Sequence, residues 1–298
     1  MRVAVASGKG GTGKTTVSAS LAVVRAERGA SAYVDCDVEE PNGHIFLKPD
    51  VDSTDPVTVA VPEIDSSACT RCGACARFCR YNALACLPDG VLVFDELCHG
   101  CGGCSLVCPA GAIAERPRPV GVIESGSAGG VRYLGGRLAV GEVMAPPVVR
   151  ALKARLPEDG LVVLDAPPGT SCLMVESVRG ADFALLVTEP TPFGLNDLEL
   201  AVETVRVLGL PFGVVINRCD VGDDRVRRYC ADEGIELLLE IPNDRAVAEA
   251  YAVGTLPVEV LPEFRARMEA LADAVIARAG GVAEKAGDAR SPERRERS

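Results

Sequence analysis

The chain has 298 residues, 48% of them hydrophobic and 24% charged, with a formal net charge of −11 and 13 cysteines. So acidic a balance argues against nucleic acid as a main ligand, because neutralising phosphates needs a positive surface, and no run approaches the roughly 18 apolar residues of a membrane span. Met1-Arg2 leads straight into a short apolar strand, which leaves no room for a signal peptide and points to the cytoplasm, where cysteines read as metal ligands rather than disulfides.

Residues 2–6 read as a buried parallel strand. A glycine-rich stretch, Ser7-Gly8-Lys9-Gly10-Gly11-Thr12-Gly13-Lys14-Thr15-Thr16, follows it. The pattern then turns helical from Thr15 to Arg28, with Gly29 expected as the C-cap. A second strand, 31–37, ends in the carboxylates Asp35 and Asp37. Strand, glycine loop, helix and strand in this order favour a parallel sheet with a right-handed crossover.

Near Val61 the rhythm breaks, and residues 64–116 hold most of the cysteines with little helical periodicity. The expected organisation is an α/β domain in two pieces, 1–62 and 119–280, interrupted by a small inserted domain over 63–118. Beyond the insertion, Pro146-Pro147 opens a helix to about Leu156, and a buried strand over 161–169 delivers Asp165. Strands are expected at 183–190 and 212–217, with a helix near 194–208 between them. A last helix over about 262–278 places Phe264, Met268, Leu271 and Val275 on one face. That helix lacks the basic amphipathic character of a membrane-binding segment, so no membrane partner is expected. The polar end, 281–298, is expected to be disordered.

Gly8 to Thr15 match G-x-x-x-x-G-K-[ST] between a predicted strand and a predicted helix, the context a phosphate loop requires. Gly8, Gly10, Gly11 and Gly13, with Thr12 and Thr16, let backbone N–H groups approach phosphates at a helix N-terminus. Lys14 is expected on the β- and γ-phosphates and Thr15 on Mg²⁺. The same loop carries a second lysine, Lys9. In this the chain resembles the MinD/Mrp/nitrogenase-iron-protein class of P-loop ATPases, over about 1–60 and 120–280. The resemblance implies a P-loop fold with a mainly parallel sheet and helices on both faces, and an ATP-dependent homodimer or related heterodimer. It also implies that Lys9 reaches the partner's ATP, with the logic of an arginine finger. By the same resemblance Asp165 holds Mg²⁺ through water, Asp37 orients the attacking water, and Asp35 stands near the metal shell. Asn217 and Arg218 of "NRCD" would contact adenine, and Pro242 of "IPND" would line the base pocket.

The runs CTRCGACARFC (69–79) and CHGCGGCSLVC (98–108) both obey C-x₂-C-x₂-C-x₃-C, the two-cluster bacterial ferredoxin pattern, and Pro109 follows the second. In that pattern the fourth cysteine serves the other cluster. The expected ligands are Cys69, Cys72, Cys75 and Cys108 for one [4Fe–4S] cluster, and Cys98, Cys101, Cys104 and Cys79 for the other. Cys79 is followed by Arg80 where the pattern has proline. Zinc prefers C-x₂-C knuckles set farther apart than these. Cys36, Cys86, Cys219 and Cys230 read as small apolar fillers, and Cys172 lies where the resemblance puts a switch segment. The whole resembles a MinD-superfamily ATPase with an inserted α+β ferredoxin-like domain. Its leading implication is a slow, dimerisation-dependent ATPase that couples nucleotide state to electron transfer toward a redox partner protein. The alternatives are an iron–sulfur assembly or delivery ATPase and a positioning ATPase.

Overall fold

The computed structural model describes residues 1–288. In chain order the elements are β1 (Arg2–Ala6), α1 (Lys14–Ala26), β2 (Ser31–Asp35), α2 (Gly43–Leu47), β3 (Asp50–Ile64), α3 (Ala74–Phe78), β4 (Leu84–Leu87), β5 (Gly90–Val93), α4 (Gly103–Leu106), β6 (Ile113–Ala128) and β7 (Val131–Leu138). There follow α5 (Pro146–Lys153), β8 (Leu161–Asp165), α6 (Cys172–Val178), β9 (Phe183–Thr188), α7 (Pro192–Val207), β10 (Phe212–Asn217), α8 (Arg225–Asp232), β11 (Leu237–Ile241), α9 (Arg245–Ala252), α10 (Pro257–Val260) and α11 (Pro262–Asp288).

Nine strands form one sheet in the order β11-β10-β9-β1-β8-β2-β7-β6-β3. Every pairing from β11 to β7 is parallel; only β7–β6 and β6–β3 are antiparallel. The central strands are buried on both faces and read as continuous apolar runs for that reason. One face packs against α5, α6 and α7, through Val148, Leu152, Met174 and Val202. The other packs against α1 and α11, through Val17, Leu21, Met268 and Leu271. This is the expected α/β architecture, with helices on both faces.

Several local bounds differ, and the strands expected over 31–37, 161–169 and 183–190 end at Asp35, Asp165 and Thr188. α1 ends at Ala26 with Glu27 in the right-handed region, so Gly29 is not a left-handed cap. α11 continues to Asp288, past the expected end at 278, and the last part of the tail expected to be disordered, 289–298, lies outside the described residues.

The cysteine-bearing segment is carried by a ribbon of β3 and β6, paired from Asp50↔Ser127 to Ile64↔Ile113. β3 alternates as a half-buried strand should, with Val57, Val59 and Val61 buried. β7 runs parallel to β2, and Leu138 at its end faces Gly121 of β6. Residues 113–120, with their partners in β3, therefore overhang the carboxyl ends of the parallel strands by about 25 Å at 3.4 Å per residue. Pro117 and Pro119 fall in this half, where β6 has no β7 neighbour to receive an N–H. The cysteine unit thus projects from the end of the sheet on which the glycine loop opens.

Candidate functional site

β1, β8 and β2 lie side by side at the centre of the sheet, so the segments leaving their carboxyl ends meet. Between β1 and α1, Gly11 and Gly13 adopt φ of 79° and 90°, a region that residues without Cβ enter freely. A Cβ on Gly13 would stand 2.4 Å from Asn217 Nδ2, and one on Gly8 would stand 2.0 Å from the Asp197 carbonyl oxygen. The loop is closed in further by Ser7 Oγ, which donates to the Lys9 carbonyl at 2.7 Å.

Lys14 opens α1 and is buried, its Nζ 3.2 Å from Asp165 Oδ1. The other oxygen of Asp165 accepts the Tyr33 hydroxyl at 2.8 Å. Asp35 is the ladder partner of Asp165, and its two oxygens accept the N–H groups of Gly43, at 2.9 Å, and Asp37, at 3.2 Å. Burial, reinforced by the charge of Asp165, pushes Asp35 up to about 8. Asp37 is pushed up to about 6 by burial, against the pull of Lys14. Burial alone would lower the pKa of Lys14, but Asp165, Asp37 and Asp35 outweigh it and raise it. With Asp35 inclined to keep its proton, Lys14 still faces both Asp165 and Asp37, and the surplus negative charge suits a divalent cation.

A cavity of about 700 Å³ opens over this cluster. Lys9, Gly10, Gly11, Thr12, Gly13, Lys14, Thr15 and Thr16 border it on one side. Asp37, Asn217, Arg218 and Pro242 border it elsewhere. Three expected site residues do not reach the lining. Gly8 is pressed against Asp197, while Asp35 and Asp165 lie beneath, each 1% exposed. Asn217 donates Nδ2 to the Thr12 carbonyl at 2.8 Å, so it braces the glycine loop from the opposite wall.

Glu189 was not singled out in the sequence. It follows β9, is 8% exposed, and holds Lys9 Nζ at 3.4 Å and Arg218 Nη1 at 2.8 Å on its two oxygens. The signal was a carboxylate closing an apolar strand, as at Asp35 and Asp165. Tyr33 was missed as well, because a tyrosine inside an apolar strand reads as core.

In the cysteine unit the internal repeat carries a repeated backbone. Arg71 and Gly100 share the left-handed region, and so do Gly73 and Gly102, each of which opens a one-turn helix. Cys69, Cys72, Cys75 and Cys108 border one cavity, together with Gly73, Ala74 and Pro109. Cys79 does not border it and packs between two groups, Cys98, Val61 and Ala83 on one side and Cys75, Leu84 and Cys104 on the other. Cys101 and Cys79 stand close enough to Cys98 to oppose its ionisation, as Cys98 does for Cys104. Backbone N–H groups donate to sulfur at Gly100→Cys98 and Ala112→Cys108, at 3.5 and 3.4 Å. Among the described residues no three His, Cys, Asp or Glu side chains gather tightly enough to hold a single metal ion; four of these cysteines instead ring a cavity. Of the remaining cysteines, Cys36 and Cys230 are buried, Cys86 and Cys219 half-buried, and Cys172 exposed at the start of α6.

A model of the CobQ/CobB/MinD/ParA nucleotide binding domain matches residues 3–258. The chain belongs to this family. Two uncharacterized proteins of Methanocaldococcus jannaschii are similar to it. One is 30% identical, covering 85% of this chain and 90% of its own length, and the other 35% identical, covering 73% and 78%. An iron-sulfur cluster carrier protein of Pyrococcus horikoshii is 28% identical over 42% of this chain and half of its own. Among solved structures, the cell division ATPase MinD of Pyrococcus furiosus aligns with a TM-score of 0.55 at 23% identity, over 91% of this chain and 96% of that one. The Mg-ADP complex of the septum site-determining protein MinD of Pyrococcus horikoshii aligns at 0.54 and 21%, over 98% and 99%. These two share the fold. No described helix is long and apolar enough to cross a membrane.

Proposed function

We propose that the protein is a nucleotide-dependent iron–sulfur ATPase, in which ATP and Mg²⁺ at the glycine loop govern electron transfer through two [4Fe–4S] clusters held by the overhanging cysteine unit. The observation that carries this reading is the shared end of the sheet. The β3–β6 ribbon is rooted in the same sheet as the glycine loop and projects past the same strand ends.

At the loop, Lys14 and the backbone N–H groups of residues 10–15 would take the β- and γ-phosphates, with Thr15 on the metal ion. Asp37 borders the cavity, as a group that orients water must, while Asp165 lies one layer deeper against Lys14. A bound Mg²⁺ would supply charge neutralisation between the phosphates and these carboxylates. Lys9 rests on Glu189 in the single chain, and leaving that carboxylate for a partner's phosphate would tie hydrolysis to dimer formation.

Thiolates are the donors a cubane takes, and Cys69, Cys72, Cys75 and Cys108 share one cavity, which supports the reading. Cys69, Cys72, Cys75 and Cys108 would hold one cluster, and Cys98, Cys101, Cys104 and Cys79 the other. When bound, the clusters would supply one-electron chemistry. Protein purified without oxygen should be brown and carry about eight irons per chain, the content of two cubanes. Metal analysis and the visible spectrum decide it. A colourless, zinc-loaded chain would contradict the reading.

The partial likeness to an iron-sulfur cluster carrier favours a second reading, delivery of clusters to other proteins. Incubation with an apo-ferredoxin and ATP separates the two. Iron that stays with this chain supports electron transfer, and iron that moves supports delivery.

A further inference from the structure

The overhanging half of the ribbon presents two arginines to the second cysteine run. Arg116 and Arg118 of β6 lie opposite Val61 and Val59 of β3, and residues opposite one another in an antiparallel pair share one face. Val61 packs with Cys98, and a Cβ on Gly100 would stand 2.5 Å from Val59 Cγ1. The turn from Cys98 to Cys101 therefore covers the face that carries both arginines.

Arg116 is engaged there by Asp95, just before the turn. Arg118 is engaged on one arm only. Its Nη1 pairs with Glu142, in the loop between β7 and α5, and both side chains are largely buried. Its Nε and Nη2 are buried with no partner. A buried donor left unpaired is destabilising, so two such donors under a turn of thiols call for an acceptor. Within the same turn the Gly100 N–H donates to the Cys98 sulfur at 3.5 Å.

On the reading that the second run holds an iron–sulfur cluster, we propose that Arg118 is its tuning residue: the free edge of the guanidinium is the donor available to the Cys98 sulfur when the cluster is bound, and Glu142 fixes the arginine in place. An added electron makes the cluster more negative, so a fixed cation beside it favours the reduced form and raises its reduction potential. Glu142 belongs to the nucleotide-binding part of the chain. Its carboxylate also accepts the N–H groups of Val143 and Met144, ahead of α5. α5 in turn is tied to α6 by Lys153, which donates to the carbonyls of Glu176 and Arg179. α6 follows the turn after Asp165, so movement there has a packed route to Arg118.

The test is a redox titration followed by electron paramagnetic resonance on anaerobic wild type, Arg118→Gln and Glu142→Gln, with iron counted in each. Arg118→Gln should keep both clusters and lower one midpoint, by at least tenfold in the reduction equilibrium, about 59 mV for a one-electron couple. The other midpoint should stay put. Glu142→Gln removes the compensating negative charge, so the same midpoint should move upward. Opposite signs at one cluster are what a purely structural pair would not produce. Full iron content with both midpoints unmoved would overturn the role of Arg118 and leave the cluster reading standing. An iron-free wild type would overturn that reading and this inference with it. If Arg118→Gln loses iron, Arg118→Lys decides, since it keeps the charge but not the planar donor fork: iron retained with one midpoint lowered supports the role, and both midpoints unmoved, or iron lost again, overturns it.

Discussion

Lys14→Ala should weaken nucleotide binding at least a hundredfold, about 2.8 kcal/mol at 1.4 kcal/mol per tenfold. Lys9→Ala should leave binding within a few-fold and abolish hydrolysis. The two lysines sit in one loop but in different surroundings. Lys14 is buried at the head of α1 and is the cation that Asp165, Asp37 and Asp35 all favour. Without it those carboxylates repel one another and repel an incoming triphosphate, and Asp165 keeps only the Tyr33 hydroxyl. Lys9 has a side chain 32% exposed and rests on Glu189, so its removal subtracts no charge from the carboxylate cluster beneath the loop. Titration with a fluorescent nucleotide reads binding, and phosphate release reads turnover. Equal loss of binding in both variants would remove the division of labour.

Pairs of cysteine substitutions should lose iron in a crossed pattern. Cys72→Ala with Cys108→Ala should leave about four irons per chain, because both would strip the same cluster. Cys72→Ala with Cys79→Ala should leave almost none, because each would strip a different one. The grouping that motivates this is the cavity bordered by Cys69, Cys72, Cys75 and Cys108, whose lining does not include Cys79. Were each run to hold its own cluster, the two pairs would give the reverse result. Iron analysis on anaerobic protein distinguishes the patterns without any assay of activity.

Five strands of the parallel part of the sheet were legible as short apolar runs: those expected at 2–6, 31–37, 161–169, 183–190 and 212–217 are β1, β2, β8, β9 and β10. β7 and β11, which pair parallel at either side of them, were not expected. The ribbon was not legible. β3 carries Pro56 and Pro62 and β6 carries Pro117 and Pro119, residues that count against a strand unless one edge is free. Their pairing also joins residues far apart in sequence, which no local pattern reports. At the site, Lys14 and Thr15 could be named from the loop motif, and Lys9 and Asp37 from the family resemblance. Glu189 could not, because its importance lies in holding Lys9 and Arg218, and these meet only when β9 and β10 pair. Asp35 shows the converse. Its place at a strand end suggested the metal shell, and folding gives its oxygens to the N–H groups of Gly43 and Asp37.

Nucleotide control of electron transfer requires communication between the glycine loop and the cysteine unit. The direct measurement is a redox titration of the anaerobic protein with no nucleotide, with Mg-ADP and with a non-hydrolysable Mg-ATP analogue. At least one cluster midpoint should differ between the ADP and ATP-analogue states, and Lys14→Ala should abolish the difference. Midpoints identical in all three states, with the rate of electron delivery to an acceptor also unchanged, would contradict the coupling.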